Sequence, residues 1–277
     1  MMRIVTGVRE MQRVCRELRV DGVVGFVPTM GALHEGHLSL VRRARAECGV
    51  VVASIFVNPL QFGAGEDLAR YPRTFEADCA ALEAEGVAVL FAPEAGEMYP
   101  EGAVTTVTVA GIGDRLDGGS RPGHFAGVAT VVAKLLHVVG PGRAYFGQKD
   151  AAQLAVLRRM VRDLNFDVEL VACAIVRDTD GLALSSRNRY LNEGERVRAL
   201  ALRRSLMAME GMITRGERES AALVREGMQM LEAVRVDYLA VVDAETLLPV
   251  MVAETGTLVA VAAWVGGTRL IDNFFVG

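Results

Sequence analysis

Cysteine, lysine, histidine and tryptophan are all scarce in this chain of 277 residues. The four cysteines, Cys15, Cys48, Cys79 and Cys173, lie far apart and form no Cys-x-x-Cys pair. A disulfide framework or a cysteine zinc cluster is therefore not expected. No uninterrupted apolar run reaches the roughly 18–20 residues that a membrane-crossing helix needs, and no long apolar stretch opens the chain. Positive charge is not in excess. The formal net charge is −4, whereas a general nucleic-acid binder carries a basic footprint. The expectation is a soluble cytoplasmic protein with neither membrane nor nucleic acid among its partners. Two phosphate-binding signatures are also missing. There is no G-x-x-x-x-G-K-[ST], and no G-x-G-x-x-G follows a strand-like run. What is present, 51% hydrophobic and 23% charged residues, suffices for one large or two modest cores.

Strand-like and helix-like segments alternate through the first 170 or so residues. Val23–Thr29, Val50–Val57, Val87–Phe91, Ala144–Phe146 and Asp167–Val176 read as strands. Leu38–Cys48, Thr74–Glu85, Gly127–Val139 and Ala151–Leu164 read as helices. Val50–Val57 is nearly all apolar, as a strand buried on both faces would be. This alternation predicts a parallel sheet covered by helices. Beyond it the pattern changes. Glu193–Arg215 and Glu217–Val234 read as two helices. Val236–Val242, Leu258–Val265 and Thr268–Phe274 read as strands of a small antiparallel sheet. The fold class is thus α/β followed by α+β, with domains at 1–176 and 177–277.

Three segments can serve a phosphate. The first is Met30-Gly31-Ala32-Leu33-His34-Glu35-Gly36-His37, a glycine-containing turn between a strand and a helix. A strand–turn–helix aims helix N-terminal N–H groups above the strand, a setting that favours anions. Two of the chain's four histidines sit at this turn. Read alone, it is equally a capping turn with two surface histidines. The second is Gly147-Gln148-Lys149-Asp150, again between a strand and a helix. Lys149 and Lys134 are the only lysines among the 30 basic residues. A lysine here is a flexible point charge suited to phosphate oxygens, or else part of a solvated helix start. The third is Leu184-Ser185-Ser186-Arg187, whose hydroxyls and guanidinium can hold phosphate oxygens or cap a helix. Two more segments read as walls. Phe56–Phe62 lies at the carboxyl end of a buried strand and offers Asn58 and Gln61, and Arg121–Phe125 leads into a helix. His124 reads as a loop-holding residue rather than a catalytic one.

Taken together, the motifs resemble the pantothenate synthetase (pantoate–β-alanine ligase) family. They are PTMGALHEGHLSLV (Pro28–Val41), FVNPLQF (Phe56–Phe62), YPRT (Tyr71–Thr74), RPGHFAGVATVVAKL (Arg121–Leu135), YFGQKDAAQL (Tyr145–Leu154) and LSSRNRYL (Leu184–Leu191), in the family's order and spacing. The resemblance spans essentially the whole chain. The histidine turn alone would point only to the wider group of nucleotidyltransferases and class I aminoacyl-tRNA synthetases. The resemblance implies a Rossmann-like nucleotidyltransferase domain that binds ATP and pantoate, a smaller C-terminal domain that closes over the site, and a homodimer. It also implies ATP as a substrate, with Mg²⁺. (R)-Pantoate is adenylated with loss of diphosphate, then β-alanine displaces AMP to give pantothenate. By motif, Met30, Gly31, Ala32, Leu33, His34, Glu35, Gly36 and His37 line the ATP site, as do Gly147, Gln148, Lys149, Asp150, Val176, Leu184, Ser185, Ser186 and Arg187. His37, His34 and Lys149 carry the chemistry, with His37 as proton donor. Gln61 and Gln153 bind pantoate. The protein ligands of Mg²⁺ stay unassigned, with Asp150 as a candidate indirect ligand. The sequence departs from the family at Ala151-Ala152, where bulkier polar residues are common.

Elementary chemistry shapes these roles. A carboxylate attacking a phosphate is repelled, so cations must neutralise charge and hold the partners in line. A carboxylate needs no deprotonation, so the histidines fit better as hydrogen-bond donors to phosphate than as bases. Two rival functions remain open on the sequence. One is a nucleotidyltransferase that passes a nucleotide to a phosphorylated acceptor; the other is a non-catalytic nucleotide-binding regulator.

Overall fold

The computed structural model describes residues 1–20, 22–63 and 65–277. Strands β1 (Arg3–Val5), β2 (Val24–Thr29), β3 (Val50–Ile55), β4 (Val89–Phe91), β5 (Arg143–Gly147) and β6 (Glu169–Cys173) form one parallel sheet in the order β1-β4-β3-β2-β5-β6. Helices α1 (Val8–Leu18), α2 (Glu35–Glu47), α3 (Phe75–Ala84), α4 (Ala95–Met98), α5 (Asp117–Ser120), α6 (His124–Val139) and α7 (Ala151–Asp163) connect and cover it. The chain then forms α8 (Glu193–Thr214), α9 (Ser220–Gln229) and an antiparallel sheet of β7 (Arg235–Val242), β8 (Leu258–Val265) and β9 (Thr268–Phe275). The expected α/β-then-α+β order is the observed one.

The strand order explains where a ligand fits. From β2 the chain steps one way to β3 and β4, and later returns to β2's other side with β5. Open α/β sheets bind ligands at such a reversal, beyond the carboxyl ends of the strands. The loops leaving β2 and β5 are those with the histidine turn and Lys149.

Several boundaries differ from expectation, each for a local reason. β6 is shorter than Asp167–Val176 because its last pairing is Gly147 with Cys173, where β5 ends. α2 begins at Glu35 rather than Leu38, because His34 caps it, so part of the supposed turn is helix. α6 begins at His124, directly after left-handed Gly123. α9 is shorter than Glu217–Val234. Its end unwinds through turns at Met230 and Leu231 into β7. β1 and α1 are additions to the expected elements. β1 is only three residues long, while α1 buries Met11, Val14 and Cys15 at helical spacing amid charged neighbours.

Three clusters of buried side chains make the core. One covers a face of the parallel sheet with Leu40, Val41 and Leu82. A second lies between α8, α9 and the antiparallel sheet, around Leu202, Leu206, Val259 and Val261. The third packs α1, α6 and α7 on the opposite face of the parallel sheet and continues into Val242, Leu247, Leu258 and Ala260. The central strand of the C-terminal sheet, β8, is therefore buried on both faces, one of them against the cluster of the parallel sheet.

Candidate active site

The loop leaving β2 is bent by two consecutive left-handed residues, Gly31 (φ 80°) and Ala32 (φ 51°). Ala32 bears a steric cost there that glycine does not. Asp78 of α3 offsets it. Its buried carboxylate accepts the N–H groups of Ala32 and Leu33, both at 2.8 Å, and the Thr74 hydroxyl at 3.1 and 3.2 Å. So held, the chain delivers His34 as the N-cap of α2. His34 Nδ1 accepts the Gly36 N–H at 3.1 Å, and His37 Nδ1 accepts the His34 N–H at 3.3 Å. The two rings lie 4.1 Å apart between centroids.

These bonds assign the tautomers. Each Nδ1 commits its lone pair to the backbone, so each neutral ring carries its proton on Nε2. Burial, reinforced by the charge of Lys149, pushes the His34 pKa down to about 4. Burial, then His34 and Lys149, pushes that of His37 down to about 3. Near neutral pH the pair supplies two uncharged N–H donors. The expected helix-start amides are partly redirected, because those of His34 and Gly36 bind the imidazoles instead.

One cavity of about 160 Å³ gathers Met30, His34, Gly36 and His37 from this side. Gly147, Lys149 and Asp150 face it from the β5–α7 turn. Val176, Leu184, Ser185, Ser186 and Arg187 close it. Val176 and Leu184 are drawn together by a hydrogen bond from the Leu184 N–H to the Val176 carbonyl, at 3.0 Å. Lys149 Nζ lies 3.6 Å from Asp150 Oδ1. The remaining residues of the motif lie elsewhere. Gly31 faces a neighbouring cavity beside Ile55 and Pro93. Ala32 is fully buried. Leu33 is half-buried against the core, and its N–H is taken by Asp78. Glu35 is exposed and paired with Arg42. Gln148 turns its side chain toward Asn273.

A second cavity of about 60 Å³ adjoins the first and shares Lys149, Asp150, Ser185 and Arg187. Gln153 lines it, together with Arg121, His124 and Arg269. Gln61 stands apart from these walls. Its amide donates to Met30 Sδ at 2.9 Å and accepts from Asn58 Nδ2 at 3.1 Å. Its main-chain carbonyl accepts from His124 Nδ1 at 2.8 Å, while Arg121 meets His124 Nε2 at 3.0 Å. His124 is thus the opposite tautomer from His34 and His37. Burial and then Arg121 push its pKa down to about 4. Its contacts are those of a loop holder.

The structure adds residues that the motifs do not contain. Asp67 grips Arg187 with two 2.9 Å bonds, and Glu66 pairs with Arg121. Asp78 left a usable signal. It lies three residues after Phe75 and four before Leu82, a charged residue on the face those apolar positions define. Asp67 and Glu66 left none, because their partners are distant in the chain.

Among the described residues, no three His, Cys, Asp or Glu side chains come together as a metal nest. Asp150, which lines both cavities, is the carboxylate beside Lys149. One carboxylate with open space suits Mg²⁺, which keeps water and phosphate oxygens as its main ligands.

The family model described as pantoate-beta-alanine ligase matches residues 3–275. A pantothenate synthetase of Acidobacterium capsulatum is 62% identical over 272 residues, covering 97% of this chain and 91% of the relative. The crystal structure of pantothenate synthetase from Thermus thermophilus superposes with a TM-score of 0.94 at 52% identity, covering 99% of each chain. That of a pantoate-beta-alanine ligase from Francisella tularensis, complexed with beta-gamma ATP and beta-alanine, gives 0.81 at 32% identity, covering 100% of this chain and 99% of that one.

Proposed function

The chain belongs to the pantoate–β-alanine ligase family, and from that premise we propose that it condenses (R)-pantoate with β-alanine, consuming ATP. The observation that carries this reading is the pair of adjoining cavities that share Lys149, Asp150, Ser185 and Arg187. The larger takes the nucleotide between the histidine pair, Val176, Leu184 and Ser186. The smaller takes pantoate against Gln153, and Gln61, whose amide touches Met30 in the wall of the larger cavity, is the second amide assigned to pantoate. The shared wall is where the carboxylate meets the α-phosphate. Attack forms a bond from a carboxylate oxygen to the α-phosphorus as the bond from that phosphorus to the diphosphate oxygen breaks, and diphosphate leaves. The amine of β-alanine then attacks the acyl carbon, and AMP leaves.

Lys149 and Arg187 place positive charge where the leaving diphosphate gains negative charge, and the Nε2–H groups of His34 and His37 add neutral donors. Neither histidine keeps a free lone pair, so donation rather than proton abstraction is their role, and the sense in which His37 is a proton donor is that of a hydrogen bond. Asp150 would help hold Mg²⁺, which would supply charge neutralisation of the phosphates. Neutral Gln61 and Gln153 can bind pantoate without tying its carboxylate into an ion pair. We place residues 1–176 and 177–277 in two lobes, the second covering the site, within a cytoplasmic homodimer. A nucleotidyltransferase acting on a phosphorylated acceptor would need free cations in the second cavity besides Lys149 and Arg187, which it shares with the first. Arg121 and Arg269 are instead matched to Glu66, Asp117 and Asp237.

The test is exchange of labelled diphosphate into ATP. Exchange should require pantoate. Exchange without any carboxylic acid, or none with pantoate, would refute the ligase.

A further inference from the structure

β9 carries a polar side chain that the proposed chemistry leaves without a role. Asn273 is buried, at 3% exposure, far along the C-terminal sheet. Both hydrogen bonds from its Nδ2 go to main-chain carbonyls, of Gln148 at 3.0 Å and of Lys149 at 2.8 Å. The Gln148 amide returns a bond to Asn273 Oδ1 at 3.4 Å. These partners lie 125 and 124 residues away in the chain, and they are the turn that presents Lys149. Asn273 is itself fixed by its neighbour. Asp272 Oδ1 accepts the Asn273 N–H at 2.8 Å, and the Asp272 carboxylate is held by Arg177 in two bonds of 2.7 and 2.9 Å. Arg177 directly follows Val176, a wall of the nucleotide cavity. One strand end thus anchors two walls of that cavity.

We propose that Asn273 is a positioning residue for adenylation: by clamping the Gln148 and Lys149 carbonyls from the C-terminal sheet, it sets the direction in which Lys149 meets the triphosphate. This rests on the ligase reading above. The physical reason is reach. A lysine side chain is long and flexible, so its ammonium is aimed only as well as its main chain is fixed. The Gln148–Asp150 turn is a short 3₁₀ segment, and such segments have poorer hydrogen-bond geometry than an α-helix. Asn suits the task because one amide nitrogen has two N–H groups and can serve two carbonyls at once.

The experiment is a double-mutant cycle on full-length protein: wild type, Asn273→Ala, Lys149→Ala and the double variant. Each is assayed for pantoate-dependent diphosphate exchange and, separately, for release of AMP from preformed pantoyl adenylate on adding β-alanine. Asn273→Ala should lower exchange by about tenfold and amide formation by less than about twofold. In the Lys149→Ala background it should lower exchange by less than about twofold, since residues that act through one another are not additive. An equal loss in both half-reactions, or the full tenfold loss in both backgrounds, would overturn the proposal and leave Asn273 a structural residue. Asn273→Ser offers at most one donor and is run alongside in case the alanine variant does not fold; it should fall between wild type and Asn273→Ala, and exchange unchanged from wild type would count against the clamp. Wild-type protein without pantoate-dependent exchange would instead sink the ligase reading itself.

Discussion

His37 differs from an ordinary surface histidine in having its lone pair already committed to the His34 N–H. Glutamine can place an amide N–H near the position of Nε2 without any titration. If donation is the role, His37→Gln keeps more diphosphate exchange than His37→Ala. One hydrogen bond to a charged group is worth about 1.5–3 kcal/mol, or about 10- to 100-fold. Equal loss in both variants would mean that the imidazole does something an amide cannot. The same burial has a consequence for stability. His34, His37 and His124 have folded pKa values of about 4, 3 and 4, below the ordinary value of 6.5. Between these values the unfolded chain binds more protons than the folded one. Their contribution is therefore complete above pH 6.5 and is lost as pH falls, by at most about 1.4 kcal/mol per pH unit for each histidine. Urea unfolding at pH 7, 6 and 5 should show falling stability. A flat profile would show that these rings are hydrated. The histidine types and spacing were legible in the sequence, since they sit between a strand and a helix. Their tautomers were not, because those depend on which backbone N–H each ring finds.

Helix α6 reaches the second cavity, where we propose pantoate binds, by coming very close to the Asn58–Gln61 turn, and Gly127 makes that possible. A Cβ added there would lie 2.2 Å from the Leu60 carbonyl oxygen and 2.7 Å from the Gln61 nitrogen, both main-chain atoms that cannot swing aside. Asn58 Nδ2 also bonds the Gly127 carbonyl at 3.1 Å. On helix propensity alone, Gly127→Ala would stabilise by about 1 kcal/mol. The clash wins, because overpacking a tight contact costs about 1–3 kcal/mol and here moves backbone. The variant should melt at a lower temperature and show a raised KM for pantoate with a smaller change in that for ATP. A higher melting temperature with unchanged KM would mean that the turn yields freely. α3 acts on the histidine loop in a comparable way. Asp78→Ala leaves the Ala32 and Leu33 N–H groups without their acceptor, at about 1–3 kcal/mol each if they stay buried. Exchange activity should fall along with stability, and full activity at reduced stability would separate Asp78 from the site. The helices themselves were readable from apolar spacing. Their contacts were not, because a glycine in a helix-like run signals close approach without naming what approaches.

At the scale of the whole molecule, the parallel sheet and the antiparallel sheet share one interior. The alternation of strands and helices up to about residue 176, and its change afterwards, are visible in the sequence and describe the sheets well. The join is invisible there, since its partners are far apart: Arg269 with Asp117, Arg187 with Asp67, and Asn273 with Lys149 are separated by 152, 120 and 124 residues. Arg269 is half-buried between Asp117 and Asp237, so loss of its charge leaves two carboxylates without their partner. More decisive is the apolar part of the join. Val242, Leu247, Leu258 and Ala260 are at most 4% exposed and belong to the cluster that also holds Phe26, Leu136 and Leu157. Unfolding the second lobe alone would bare this face of the first. At about 25 cal/mol per Å² of apolar surface, a few side chains of that size cost several kcal/mol, a large share of a typical domain's stability. The two lobes should therefore unfold together, in a single calorimetric transition whose van't Hoff and calorimetric enthalpies agree within error at low protein concentration. ATP with pantoate should move that one transition upward as a unit, because ligands held by both lobes, as proposed, bind neither when they part. Two resolved transitions, or a shift confined to one of them, would show that the lobes are energetically separate and that the shared cluster contributes little to holding them together.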